Sequence, residues 1–149
     1  MARKKNDPGS VESLSDSKDF FPDSLIVKFL LGRREIELLK PFRYYGAPRL
    51  ITAPAGFICD GASIPRWAWT TIGGPFTGKY REAAVIHDWL YRSGLVTRKE
   101  ADKIFEEAME ILGVSLWRRK VMHRAVRIGA GKKWKEYRSS QEWESLIGH

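Results

Sequence analysis

Two neighbouring stretches decide how this chain is read: Tyr80-Arg81-Glu82-Ala83-Ala84-Val85-Ile86-His87-Asp88-Trp89-Leu90-Tyr91, and Thr97-Arg98-Lys99-Glu100-Ala101-Asp102-Lys103-Ile104-Phe105. In the first, Ala83, Ala84, His87, Leu90 and Tyr91 recur at three- and four-residue spacing, which predicts one helix over 80–91 that Ser93-Gly94 ends. The second opens on a Thr with a Glu three residues later, the form of a capping box. It predicts a helix to Leu112 with Ala101, Ile104, Phe105, Ala108, Ile111 and Leu112 as its apolar stripe and Gly113 as its stop. The connection from Ser93 to Thr97 is short, so the two helices are expected to pack antiparallel, with Asp102 facing the Tyr91 end of its partner.

Outward from this pair the pattern changes on both sides. Upstream, Leu25 to Leu31, Glu35 to Leu39 and the run through Tyr44-Tyr45 to Arg49-Leu50-Ile51-Thr52 are rich in β-branched and aromatic residues and are punctuated by Gly and Pro. They predict a small antiparallel sheet between Leu25 and Phe57. Downstream, a helix capped by Ser115 should carry Leu116, Val121, Met122, Ala125 and Val126 toward the core and turn its arginines outward, until Gly129-Ala130-Gly131 breaks it. The expected class is α+β, a small N-terminal antiparallel sheet followed by three or four helices. Residues 1–24, polar and without periodicity, read as a flexible arm, 25–131 as one domain, and 132–149 as a basic, Trp-containing segment.

Length and composition bound the function. A chain of 149 residues that is 43% hydrophobic and 30% charged is expected to form one globular domain rather than a disordered or collagen-like chain. No apolar run approaches the roughly 18 residues of a membrane-spanning helix. The start, Met1-Ala2-Arg3-Lys4-Lys5, lacks the apolar core of a secretory signal, so synthesis in a cytoplasm is expected. Cys59 is the single cysteine, which excludes an intrachain disulfide and a thiolate zinc site. The formal charge is +8, and from Val114 to His149 nine basic residues stand against three acidic ones. Arg118, Arg119, Lys132, Lys133 and Lys135, interleaved with Trp117, Trp134 and Trp143, make a basic patch suited to anionic lipid or to nucleic acid, lipid being favoured. A solvated helix face is the plainer alternative, and for Trp117 so is a core or subunit contact.

Three polar positions interrupt the apolar pattern. Asp60 lies in Phe57-Ile58-Cys59-Asp60-Gly61-Ala62-Ser63-Ile64-Pro65, His87-Asp88 in the middle of the first long helix, and Asp102 at the edge of the second helix's stripe. A His on a rigid helix with a carboxylate that fixes its tautomer is the usual form of a general base. Consecutive helical side chains diverge by about 100°, so Asp88 cannot be that carboxylate. A cation shared with Asp60 and the carbonyls of its Gly61 loop would explain it, and an all-oxygen shell suits calcium. The alternative reads His87 as a core histidine, Asp88 as a surface charge and Asp60 as an N-cap before Pro65.

His87-Asp88-Trp89-Leu90-Tyr91 resembles the His-Asp-x-x-Tyr helix of the phospholipase A2 superfamily, and Ala101-Asp102-Lys103-Ile104-Phe105 is similar to its second helix. Asp60-Gly61-Ala62-Ser63 resembles the upstream Asp-Gly-x-Ser loop of its compact bacterial and fungal members. The resemblance implies a phospholipase A2-like two-helix core in which His87 is the base, Asp102 its orienting acid, Tyr91 a hydroxyl donor to Asp102, and Asp60, Gly61 and Asp88 a calcium site. It covers about a third of the chain, and the single cysteine and the N-terminal sheet depart from those secreted, disulfide-braced enzymes. Cys59 to Arg66 together with His87 to Tyr91 more closely resembles a family of bacteriophage and prophage proteins without assigned function, domain of unknown function 1353. That likeness implies a phage origin, synthesis in a host cytoplasm with incorporation into a virion, and two expectations of function. One is a calcium-dependent hydrolase of envelope lipid esters. The other is a virion or assembly protein that uses the same fold as a scaffold and binds other phage structural proteins.

Overall fold

Ile36 and Leu38 are buried on either side of a half-buried Glu37, and Phe42 and Tyr44 on either side of Arg43. That period-two alternation is why both segments are strands with one face on the core. The computed structural model describes residues 20–32, 35–46, 49–60, 64–72 and 78–139. They form β1 (Val27–Phe29), β2 (Ile36–Leu38), β3 (Phe42–Gly46), β4 (Arg49–Ala53) and β5 (Ile58–Cys59). Five helices follow: α1 (Arg66–Ile72), α2 (Arg81–Ser93) after a 3-10 turn at Gly78–Tyr80, α3 (Arg98–Ile111), α4 (Leu116–Gly129) and α5 (Gly131–Ser139). The α+β arrangement is as the sequence predicts, with one helix more.

The strands do not make one sheet. β2 lies between β1 and β5, antiparallel to both, with Phe29 opposite Ile36 and Ile36 opposite Cys59. β3 and β4 form a separate hairpin, Phe42 opposite Ala53 and Tyr44 opposite Ile51. Of the segment read as an N-terminal arm, residues 20–24 are described. Phe21 packs on Phe42 and Tyr44, with ring centroids 5.8 and 4.8 Å apart, and Asp23 receives both the backbone amide and the guanidinium of Arg43.

α2 is the centre of the molecule. Every residue from Ala83 to Tyr91 is buried, not just the one expected face, because α3, α5, β4 and β5 all pack on this helix. A helix enclosed on all sides has no outward face on which a charge can rest, so Asp88 and His87 are both fully buried. α3 lies against α2 as expected, after a connection in which Gly94 takes the left-handed conformation at φ 65°. The Thr97 hydroxyl accepts from the Glu100 amide while Glu100 returns a carboxylate to the Thr97 amide, so the capping box is formed.

α4 corrects two readings. Met122, Ala125 and Val126 face the core as predicted, but Leu116 is 61% exposed and Trp117 55%. Both sit in the first turn of α4, and neither is a core residue. Ser115 takes the extended conformation of an N-cap without a side-chain capping bond. Arg127, expected to point to solvent with the other arginines, turns inward instead. Its reason lies in α3.

Candidate active site

Asp102 is the fifth residue of α3, one turn after the capping box, and its side chain enters the seam between α2 and α3. Its Oδ1 lies 2.8 Å from His87 Nε2 and accepts the Tyr91 hydroxyl at 2.6 Å. His87 and Tyr91 are one turn apart on α2, so a single carboxylate oxygen meets both from the same side. The expected trio of His87, Asp102 and Tyr91 is therefore brought together. The imidazole is held between the rings of Tyr91 and Phe105, at centroid distances of 4.4 and 4.6 Å.

The other carboxylate oxygen is the part that pattern reading missed. Arg127 of α4 donates to Asp102 Oδ2 at 2.7 Å, and Arg98 Nε stands 4.0 Å from the same atom. Arg98 also donates to the Tyr91 hydroxyl and, through Nη2, to the carbonyls of Val126 and Arg127 at 2.8 and 2.7 Å. A guanidinium on the last carbonyls of α4 is favoured by the negative end of that helix dipole. An arginine four residues before Asp102 was visible as a spacing, whereas Arg127 is 25 residues away and carried no local signal.

Charge in this network rests on Asp102. Its burial would raise the carboxyl, but the hydrogen bonds from His87, Tyr91 and Arg127 outweigh that and hold it below the ordinary 3.8. Burial, with the positive charge of Arg98 as a smaller cause, keeps His87 below the ordinary imidazole range despite its bond to Asp102. Tyr91 is pushed well above its usual value by burial and by the same carboxylate. At neutral pH the set is an ionised Asp102 beside a neutral imidazole. The ring then donates through Nε2–H, and Nδ1 carries the lone pair that can take a proton.

Asp88 points to a different quarter, as its neighbour position on the helix requires. Burial and then the charges of Asp88 and Asp60 push up the phenol of Tyr137 in α5, so both carboxylates act on one group. Arg92 stacks over the Tyr137 ring at 4.7 Å. Asp60 follows β5, and Gly61 lies outside the described residues. Among the described residues no three His, Cys, Asp or Glu side chains form a group able to hold a metal. Asp60 and Asp88 themselves offer carboxylate oxygen, the donor type that calcium takes and zinc or copper sites use less.

The expected basic patch is divided between two environments. Arg118 lies over the Trp117 ring and 3.4 Å from the Tyr80 hydroxyl, and Arg119 pairs with Glu110 at 3.6 Å. Lys132 and Lys135 are exposed, and Lys133 is 3.8 Å from Glu136. Trp134 packs edge-on against Tyr91 at 5.2 Å, and Trp143 lies outside the described residues. No helix among the described residues is long and apolar enough to cross a membrane.

A stretch of 73 residues is 42% identical to an uncharacterized protein, y4jT, of Sinorhizobium fredii (strain NBRC 101917 / NGR234), covering 49% of this chain and 22% of that protein. A stretch of 75 residues is 36% identical to y4iH of the same organism, also uncharacterized, covering 50% of this chain and 31% of its relative. The match therefore spans less than a third of either relative's length. No solved structure matches the chain. A family described as "Protein of unknown function (DUF1353)" matches residues 36–126, from β2 to one residue short of Arg127, and includes Asp60, His87, Asp88, Tyr91 and Asp102. With well over half of its length matched, the chain belongs to that family.

Proposed function

We propose that the protein is a hydrolase of lipid esters in which His87 is the general base. The observation that carries this reading is the buried dyad, His87 Nε2 2.8 Å from Asp102 Oδ1 with the Tyr91 hydroxyl on the same oxygen. Asp102 fixes the tautomer and stabilises the imidazolium that forms when His87 draws a proton from the attacking water. Tyr91 and Arg127 keep Asp102 ionised and in place through the cycle. Calcium would be held by Asp60 and Asp88 with the Gly61 carbonyl, and when bound it supplies a Lewis acid for the ester carbonyl and the oxyanion. His87 and Asp88 are closed from solvent, so on this reading an element must move before an ester reaches the ring. The short α5, lying across α2 through Trp134, Tyr137 and Arg138, is the element at hand. The phage origin and the bacterial envelope as the place of action belong to this proposal too.

A second reading has its own observation. Asp102 takes bonds from α2 and from α4, a saturation that also suits a polar tie inside a virion or assembly protein. One experiment separates the two. Hydrolysis of phosphatidylglycerol vesicles is followed with calcium and with chelator, for the wild type and for His87→Asn. The hydrolase reading expects turnover that the substitution lowers by about 10²–10⁴-fold while the melting curve stays cooperative. No turnover by a folded wild type with calcium present overturns it and leaves the scaffold.

A further inference from the structure

We infer that the outer face of α4, with the adjoining parts of α1 and α5, is a docking surface for an anionic lipid bilayer, whether or not the dyad is catalytic. The charge distribution is the first ground. α4 and α5 together hold nine basic residues and one acid, Glu136, out of 26 and 18 in the chain. The remaining residues thus carry 17 of each sign, and the whole formal excess of +8 resides in these two helices. Five of the nine are engaged: Arg119, Lys120 and Arg127 with carboxylates of α3, Lys133 with Glu136, and Arg138 with the carbonyls of Tyr91 and Arg92. Among the described residues no carboxylate pairs with Arg118, Arg124, Lys132 or Lys135.

The second ground is what lies between those cations. Trp117, Lys120, Arg124 and Ile128 follow one another at three- and four-residue spacing and form the face of α4 opposite Met122, Ala125 and Val126. Ile128 is 74% exposed and Leu116 and Trp117 are more than half exposed, so large apolar groups stand at both ends of a cationic stripe. At the Ile128 end Pro65 packs directly over Gly129, and α1 there presents Trp67, 54% exposed. Exposed tryptophan and aliphatics amid arginine and lysine on a helix without acids fit the headgroup region of an anionic bilayer, where rings and alkyl chains sink and cations stay with phosphate. Nucleic acid would use the same cations and could stack on Trp117, but Leu116 and Ile128 offer nothing to a base. Lipid uses all of them.

The test is co-sedimentation of the full chain with phosphatidylcholine vesicles with and without phosphatidylglycerol, together with Trp quenching by brominated lipid. Binding is expected only with phosphatidylglycerol, weaker at high salt. Arg118→Gln with Arg124→Gln should lower the binding constant about 25-fold, roughly fivefold for each charge. Lys99→Gln with Lys103→Gln, the same charge change on α3, should lower it far less. Ile128→Ser should weaken binding without altering its salt dependence, and Trp117→Phe should remove part of the quenching. The exposed sites make all four variants foldable, and cooperative melting is the check. Absence of vesicle binding, or equal losses from the α3 pair, overturns the inference. So does tight binding of a single-stranded oligonucleotide that the α4 pair abolishes while vesicles are ignored.

Discussion

At the scale of single residues the consequence of the buried network is acid sensitivity with a definite sign. Burial holds His87 below 6.5, so below about that pH the unfolded chain binds a proton that the folded protein refuses. Stability therefore falls as pH drops below about 6.5. Asp102 adds a second, lower window: its contribution is complete above 3.8 and is lost as pH falls through its depressed folded value. His87→Asn should flatten the melting temperature between about pH 7 and 5, removing a slope of up to roughly 1.4 kcal/mol per pH unit. An unchanged slope would mean that His87 titrates alike folded and unfolded. Arg127→Met tests the other side of the carboxylate. Breaking one partner of a buried pair costs about 3–5 kcal/mol, and because Arg127 is 36% exposed about 2 is expected in urea titration. Adding Asp102→Asn should cost less than the sum, since the two act on one another.

At the scale of elements, α2 and α3 are held by features that can be removed singly. Thr97→Ala deletes the acceptor for the Glu100 amide and should cost about 1 kcal/mol, a fall of a few degrees in melting temperature. Gly94→Ala should cost more, because φ 65° disfavours any Cβ and the Arg138 guanidinium already fills the place that Cβ would take. Its effect should reach α5, which Arg138 ties to the last carbonyls of α2, and hydrogen exchange in α5 reads it. A loss confined to α2 and α3 would count against that coupling. The same elements show what the sequence made legible. Thr97 with Glu100, the glycine at 94 and the spacing of His87 and Tyr91 against Asp102 are local signals, so the helix pair and the dyad could be read directly. Arg127 could not, because a cation 25 residues from its carboxylate is found by folding, not by periodicity. Burial all round α2 was hidden for a related reason: Asp88 reads as a surface charge until α5 and β5 are seen to pack on the same helix as α3. Leu116 failed in the opposite direction, an apolar residue at helical spacing that the first turn of α4 leaves in solvent.

At the scale of the whole molecule the charge is divided unevenly, and that division sets stability against binding. The body up to α3 is near neutral while α4 and α5 carry the excess, so cations on two adjoining helices repel one another. Repulsion of this kind acts over the Debye length, about 30 Å at 0.01 M salt and about 10 Å at 0.1 M. Raising salt between these limits should therefore raise the melting temperature, whereas a protein held mainly by surface ion pairs would lose stability. Neutralising Arg124, Lys132 and Lys135 to Gln should stabilise the fold at low salt, by a few tenths of a kcal/mol for each charge, and the gain should vanish at high salt. None of the three has a carboxylate partner among the described residues, so the substitutions break no ion pair there. If the cations are retained for an anionic surface, the triple variant must be better folded and worse at binding vesicles at the same ionic strength. A variant that loses both stability and binding would show instead that these side chains hold α4 and α5 in place.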